Sequence, residues 1–288
     1  MIKRNPYVAG TFYELQKDRL ISQIQWCYTH ALGPGELPRV SSTRVKRSLG
    51  YVVPHAGYMY SGPIAAHAYY SLAFEGVPQV VILIGPNHSG LGTAASIMVE
   101  GMWVTPLGEV EVDSELAKAI TKESSYLDID VTPLLYEHSI EVQLPFLQFM
   151  YDGKIKIVPI VISLQVPEIS QDIAMAIHKA VEDLNRDAVL IATSDWTHYE
   201  PYEVAYRKDM EAIDRVLSID PEGLFRVIEE KKVSACGYGA IAVLLYLAKM
   251  RGIRRAELLK YATSGDIAGR RDSVVGYASI RVPILEGG

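Results

Sequence analysis

Residues 80–90 read Val-Val-Ile-Leu-Ile-Gly-Pro-Asn-His-Ser-Gly, an unbroken apolar run that passes directly into glycine, proline and histidine. An apolar run without alternation is buried on both faces, as strands are in the interior of a parallel sheet. Comparable runs lie near Leu49 to Val53, Ile155 to Ile162, Val189 to Thr193, Leu258 to Ala262 and Val274 to Val282. Between and around them, apolar residues recur at helical spacing. Helices are predicted over Leu15 to Ala31, Pro63 to Phe74, Ser114 to Lys122, Ser139 to Met150, Pro167 to Leu184, Glu203 to Leu217, Pro221 to Glu230 and Gly239 to Met250. Strands that alternate with helices predict an α/β protein: a three-layer α/β/α sandwich with a mostly parallel central sheet. The Gly-, Pro- and Ser-rich stretch Gly33 to Thr43 links the first helix to the main body, and residues 1–288 are expected to form one domain.

The chain has 288 residues, 49% hydrophobic and 22% charged, enough to bury a large core. A formal net charge of -6 with no basic stripe argues against nucleic-acid binding. No apolar run reaches the roughly 18 residues of a membrane span, and no apolar segment follows Lys3 and Arg4 as in a secretory signal. The protein is therefore expected in the cytoplasm, where Cys27 and Cys236 stay reduced.

In open α/β sheets ligands bind beyond the carboxyl ends of the strands. There the sequence reads Pro54-His55-Ala56-Gly57-Tyr58, Gly85-Pro86-Asn87-His88-Ser89-Gly90 and Ser194-Asp195-Trp196-Thr197-His198. The chain has only 7 histidines, so three of them directly after three strands form a candidate site. Cys236, in Ser234-Ala235-Cys236-Gly237, precedes a helix whose N-terminus favours a thiolate; it reads as a ligand, a nucleophile or a small buried hydrophobe. His138 and Glu141 sit three apart at a helix start and are expected to support or wall the pocket. With Val142 in place, neither His-Glu-x-x-His nor its inverse occurs. Walker A, Gly-x-Gly-x-x-Gly and Gly-x-Ser-x-Gly patterns are likewise missing, so nucleotide cofactors and serine-hydrolase chemistry lack support. His30, His67 and His178 read as structural or solvated, and Cys27 as a core residue of the first helix.

These segments, together with Glu137-His138-Ser139-Ile140-Glu141 and Ala235-Cys236-Gly237, taken in order from Arg4-Asn5-Pro6 to Val275-Gly276-Tyr277, resemble the Memo family. The resemblance implies a fold similar to class III extradiol dioxygenases. It puts His55, His88 and Cys236 at the family's metal-ligand positions, His198 at the dioxygenase catalytic histidine, and Asp195 and Tyr60 in the pocket. Extradiol dioxygenases hold Fe(II) with two histidines and a carboxylate, so Cys236 departs from that pattern; a thiolate suits iron, copper or zinc. The family is further linked to copper-dependent redox chemistry, to phosphotyrosine-peptide binding and, among microbial members, to radical-SAM and AMMECR-type proteins.

Three functional readings follow. The first is a redox enzyme or oxygenase using one metal ion, iron or copper before zinc, with His198 as acid/base and Asp195 orienting a pocket group. The second is a metal-free hydrolase or transferase with Cys236 as nucleophile. The third is a non-catalytic module for a peptide or small anionic ligand, its pocket walled by Tyr58, Tyr60, Trp196 and Tyr199.

Overall fold

The computed structural model describes residues 2–284. Twelve strands form the sheet: β1 (Lys3–Arg4), β2 (Ser48–Val53), β3 (Val80–Pro86), β4 (Ala95–Ile97), β5 (Met102–Thr105), β6 (Gly108–Val112), β7 (Leu127–Ile129), β8 (Lys156–Ile162), β9 (Ala188–Thr193), β10 (His198–Glu200), β11 (Glu257–Thr263) and β12 (Val274–Pro283). Their principal order is β1-β5-β6-β8-β3-β9-β2-β12-β10. The centre, β6-β8-β3-β9-β2, is parallel throughout, and every residue of β2, β3 and β9 is buried. Antiparallel pairing is confined to the flanks: β12 against β2, β10 and β11 on one side, β5 against β6 and β4 against β8 on the other. Unbroken Val/Ile/Leu runs thus became central strands because both of their faces need cover.

Helices supply that cover in two groups. Lys17–Thr29, Tyr58–Ala73 and Leu144–Tyr151 pack on one another, and Ser114–Glu123, Pro167–Asp183, Pro221–Lys231 and Tyr238–Met250 form a second connected set. Among the described residues no helix is long and apolar enough to cross a membrane.

Two helices differ from expectation. The helix expected over Ser139 to Met150 is broken into His138–Glu141 and Leu144–Tyr151. Pro145 has no N–H to return to the Glu141 carbonyl and its ring crowds that carbonyl, so the chain ends one helix and begins another. The helix expected from Pro63 starts at Tyr58, with Pro63 accommodated inside it. The Tyr58 N–H donates to the Phe12 carbonyl and the Ser61 N–H to Gly57, which anchors the earlier start. The short strands β1, β4, β5, β6, β7 and β10 were not expected; of these only β6, Gly-Glu-Val-Glu-Val, carries a legible alternation, with Val110 and Val112 inward.

Two buried carboxylates show opposite electrostatic solutions. Glu141 is fully buried against Arg4, itself fully buried. The Arg4 guanidinium also donates to the carbonyls of Leu134 and Glu137 and stacks 4.5 Å over the Trp103 ring. Glu141 further accepts the N–H groups of Tyr7 and Val8 and the Tyr13 hydroxyl. Asp209, also buried, takes its hydrogen bonds from neutral donors, the Thr197 N–H at 2.9 Å and the Tyr261 hydroxyl at 2.8 Å. Burial raises its pKa to about 6 against these opposing hydrogen bonds.

Arg4→Met and Glu141→Gln should each lower unfolding free energy by about 3–5 kcal/mol, because each strands a buried charge or its donors. In a denaturant double-mutant cycle, the Arg4→Met/Glu141→Gln protein should lose clearly less than the sum of the two single losses; strict additivity would show that the pair is not coupled.

Because the folded-state pKa of Asp209 lies above its ordinary 3.8, the folded protein holds that proton more tightly than the unfolded chain. The resulting stability is fully present below about pH 4 and is lost as pH rises through about 6. Asp209→Asn should therefore flatten the stability profile between those limits, by an amount on the order of 2–3 kcal/mol. Unchanged slopes in urea melts across that window would refute the assignment.

Candidate metal centre

β2, β3 and β9 run side by side and end together, in the register Val53 opposite Thr193 and Ile84 opposite Ala192. The residues that follow each strand therefore meet at one rim. His55, two residues beyond β2, is almost fully buried. Its main-chain N–H donates to the Asp195 carboxylate at 2.8 Å, and its Nδ1 lies 3.0 Å from the Thr193 hydroxyl. That leaves Nε2 facing Cys236, whose Sγ is 3.0 Å away. Burial, reinforced by the neighbouring rings of His138, His88 and His198, pushes the His55 pKa well below its ordinary value, so the ring is neutral.

His88, beyond β3, is oriented by a residue that sequence reading passed over. The buried Glu137 carboxylate accepts both the His88 main-chain N–H and its Nδ1–H, the latter at 2.9 Å. Glu137 also caps the His138–Glu141 helix by accepting the Ser139 N–H at 2.8 Å. Burial raises this carboxylate's pKa, but the hydrogen bond and charge of His88 and the charge of His138 outweigh it and hold the group below its ordinary value. The acceptor was present in the sequence as an acidic residue beside His138, but nothing there tied it to His88.

Cys236 sits in the turn ahead of the Tyr238–Met250 helix. Its N–H donates to the Asp195 carbonyl at 3.2 Å, and the Asp195 N–H points at Sγ, 3.3 Å away. A Cβ on the following Gly237 would lie 2.0 Å from the Thr193 carbonyl oxygen, so only glycine lets this turn press against the end of β9. On the other side, a Cβ on Gly85 would meet the Ser139 hydroxyl at 2.3 Å; glycine there lets the Glu137–Ser139 cap reach β3. The expectation of a thiolate at the helix N-terminus is corrected: burial pushes the Cys236 thiol well up, the Asp195 charge adds to it, and the nearby N–H groups do not compensate.

The donor atoms of His55, His88 and Cys236 all lie within 4.8 Å of one another. His88, Glu137 and His138 also cluster within that limit, but Glu137 already accepts three N–H groups there. It acts as the orienting partner of His88 rather than as a free ligand. This geometry fits a metal ion: two imidazoles have their Nδ1 atoms fixed by hydrogen bonds, and one neutral Nε2 lies 3.0 Å from a thiol. No ion is needed to assemble the arrangement, since each donor is held by main chain or by a buried partner.

A cavity of about 830 Å³ opens above these donors, and His55, His88, His138, Asp195, His198 and Cys236 line it. His138 stacks on His88 at 4.4 Å and packs at a tilt against Phe12 at 4.8 Å, and burial, the leading effect, lowers its pKa to about 4. His198 donates its Nδ1–H to the Ser234 carbonyl, 2.9 Å away, and its main-chain N–H donates to the Ser234 hydroxyl. With Nδ1–H on a carbonyl, Nε2 is the free acceptor. Asp195 is tied to His55, not to His198, and burial raises its pKa to about 6 against the His55 hydrogen bond and the charges of His198 and His88.

Tyr60 and Tyr199 line the cavity, but Tyr58, Trp196 and Glu141 do not. Tyr58 is buried with its hydroxyl on the Val142 carbonyl, Trp196 is fully buried, and Glu141 is committed to Arg4. Each of these neighbours a site residue in sequence, yet the chain turns its side chain into the core. His30 and His67 make hydrogen bonds at Leu32, Cys27 is a buried free thiol, and Cys236 is a half-buried one.

A family model described as Memo-like protein matches residues 4–281. A MEMO1 family protein of Sulfurisphaera tokodaii is 53% identical over 280 residues, covering 96% of this chain and 98% of that one. One of Ignicoccus hospitalis is 49% identical over 284 residues, covering 99% of this chain and 100% of that one. Among solved structures, that of an uncharacterized protein from Escherichia coli K12 superposes with a TM-score of 0.55 at 13% identity, over 82% of this chain and 100% of that chain, a likeness of fold alone. The chain belongs to the Memo family.

Proposed function

We propose that the protein is a metal-dependent redox or oxygenase-like enzyme that holds one metal ion through His55 Nε2, His88 Nε2 and Cys236 Sγ. The observation that carries this reading is the locking of both imidazoles: Thr193 and Glu137 take the Nδ1 atoms, which leaves both Nε2 atoms free, that of His55 3.0 Å from the thiol. Two imidazoles and one thiolate suit iron or copper, and also zinc. When bound, such an ion supplies the redox or Lewis-acid chemistry that the side chains lack. His198 then serves as the acid/base, since its Nδ1 is fixed on Ser234 and Nε2 is left for a proton of the ligand. Asp195 acts as a positioning residue for His55, and Tyr60 and His138 wall the cavity. The fold relation to class III extradiol dioxygenases belongs to the same proposal, with Cys236 in place of their carboxylate.

A cysteine hydrolase is the weaker reading. Its base would be His198 or His55, but the group behind the His55 ring is the Thr193 hydroxyl and that behind the His198 ring the Ser234 carbonyl, so no carboxylate stabilises either imidazolium. Burial also disfavours an anionic Cys236 unless a cation is beside it.

Anaerobic titration with Fe(II), Cu(I) and Zn(II), followed by elemental analysis, should give one equivalent bound by wild type and none by His55→Ala, His88→Ala or Cys236→Ser. Glu137→Gln should still bind, with affinity reduced about 10- to 100-fold through loss of the His88 orienting bond. Absence of stoichiometric uptake by wild type would sink the reading. An iodoacetamide reaction at Cys236 that metal does not slow would favour the hydrolase.

A further inference from the structure

Next to His198 stands a residue whose conformation the fold does not repay. Tyr199 has φ +61°, in the left-handed region that a bulky side chain rarely adopts. It is also 78% exposed, so little packing offsets the strain. The residue is the middle of β10, where pairing with β12 is irregular: His198 stands opposite Val275 and Glu200 opposite Val274, leaving Tyr199 without a partner. In a regular strand consecutive side chains point to opposite faces, so only one of His198 and Tyr199 could face the cavity. Both line it. The bulge is what turns the second ring to the same side, with the Tyr199 ring 5.7 Å from that of His198. Both ends of the bulge are tied down, His198 at Ser234 and Glu200 by its 2.6 Å ion pair with Lys208.

The rest of the cavity indicates what such a ring would meet. Phe12, Met59, Tyr60 and Tyr277 contribute apolar and aromatic wall, and Arg270 is the single lysine or arginine lining it among the described residues. That guanidinium is already shared with Asp272, at 2.7 and 2.9 Å. Selection therefore falls on the shape of the ligand's apolar body more than on its charge.

We propose that Tyr199 is the specificity-determining cover of this cavity: the bulge holds its ring ready to stack on a flat, largely apolar or aromatic ligand whose inner end lies at His55, His88 and Cys236. The inference rests on the function proposed above for the site, but it can fail separately. It involves no covalent step by Tyr199. The ring excludes water from one side of the ligand and adds a stacking face that a small ligand without a planar body cannot use.

The test uses the full-length protein with Tyr199→Gly, Tyr199→Phe and wild type, and three readouts. The first is titration with 2-naphthol, a flat and largely apolar aromatic, followed by fluorescence. Wild type and Tyr199→Phe should bind alike, and Tyr199→Gly should bind about fivefold more weakly or worse. The second is thermal unfolding: Tyr199→Gly should melt at or above the wild-type temperature, because glycine relieves the left-handed strain. The third is metal stoichiometry, which should be the same in all three proteins. Equal probe affinity in Tyr199→Gly and wild type would overturn the proposal, as would a wild type that binds no probe. A Tyr199→Gly protein that melts well below wild type would overturn the strain argument on which it stands. If probe binding depends on Tyr199 while no protein takes up metal, the cover stands and the metal reading falls.

Discussion

The Arg4–Glu141 ion pair is the constraint on which the site's geometry depends. Both groups are fully buried, and a charge in that position is tolerated only when its partner and all its hydrogen bonds are in place. Satisfying Glu141 recruits the N–H groups of Tyr7 and Val8 and the Tyr13 hydroxyl, which ties down the segment after β1. Satisfying Arg4 recruits the carbonyls of Leu134 and Glu137. The carbonyl of Glu137 is thus held by Arg4, while its carboxylate holds His88. A two-residue edge strand consequently determines the ring orientation of a residue at the centre of the sheet. Apolar replacements of the pair would leave the carbonyls of residues 134 and 137 without the donors that set this cap.

Parallel strands contribute the second part of the arrangement. β2, β3 and β9 are adjacent and share a direction, so three consecutive strand ends deliver His55, His88 and Asp195 to one rim with no long loop between them. The fourth contributor, Cys236, arrives from a helix start outside the sheet. Its turn is locked to the Asp195 main chain from both directions, N–H to carbonyl and N–H to sulfur. Glycine at 237 allows that contact. Donors carried on rigid strand ends and on a pinned turn keep their spacing without an ion to gather them, which is the property a preorganised ligand set requires.

What could be read from the sequence follows the physics of burial. Strands enclosed on both faces advertise themselves as continuous apolar runs, so β2, β3, β8, β9, β11 and β12 were legible, and with them the histidines at their ends. The short strands give no such run: β4 is fully buried but only three residues long, the others bury one face or none, and β1, with two residues, has no pattern to detect. Pro145 could have announced the helix break, but an apolar helical period on both sides of it masked the interruption. The assignment of side chains to the pocket was less secure than the assignment of segments. Tyr58, Trp196 and Glu141 lie beside site residues in sequence, but the backbone turns them inward, and a single sequence does not record which way a loop faces. Glu137 was missed for the converse reason, because its contact with His88 spans 49 positions. The thiolate expected at Cys236 failed on magnitudes: a helix N-terminus offers a fraction of a charge, whereas burial removes the solvation of a whole one.

That balance also bears on what the pocket can hold. Burial keeps His55 and His138 neutral and Cys236 protonated, and it raises Asp195 toward neutrality. Left to its own residues, the rim therefore suppresses charge of either sign. A bound cation would reverse the preferences of Cys236 and Asp195, since it stabilises a coordinated thiolate and an ionised carboxylate nearby, and would keep that of the imidazoles, which ligate in the neutral form. Anions gain no comparable set of partners, because the one guanidinium that lines the cavity among the described residues is already engaged by Asp272. The same side chains that make an uncompensated charge costly thus make a compensated one, a cation on a thiolate beside Asp195, the arrangement in which every donor finds a partner.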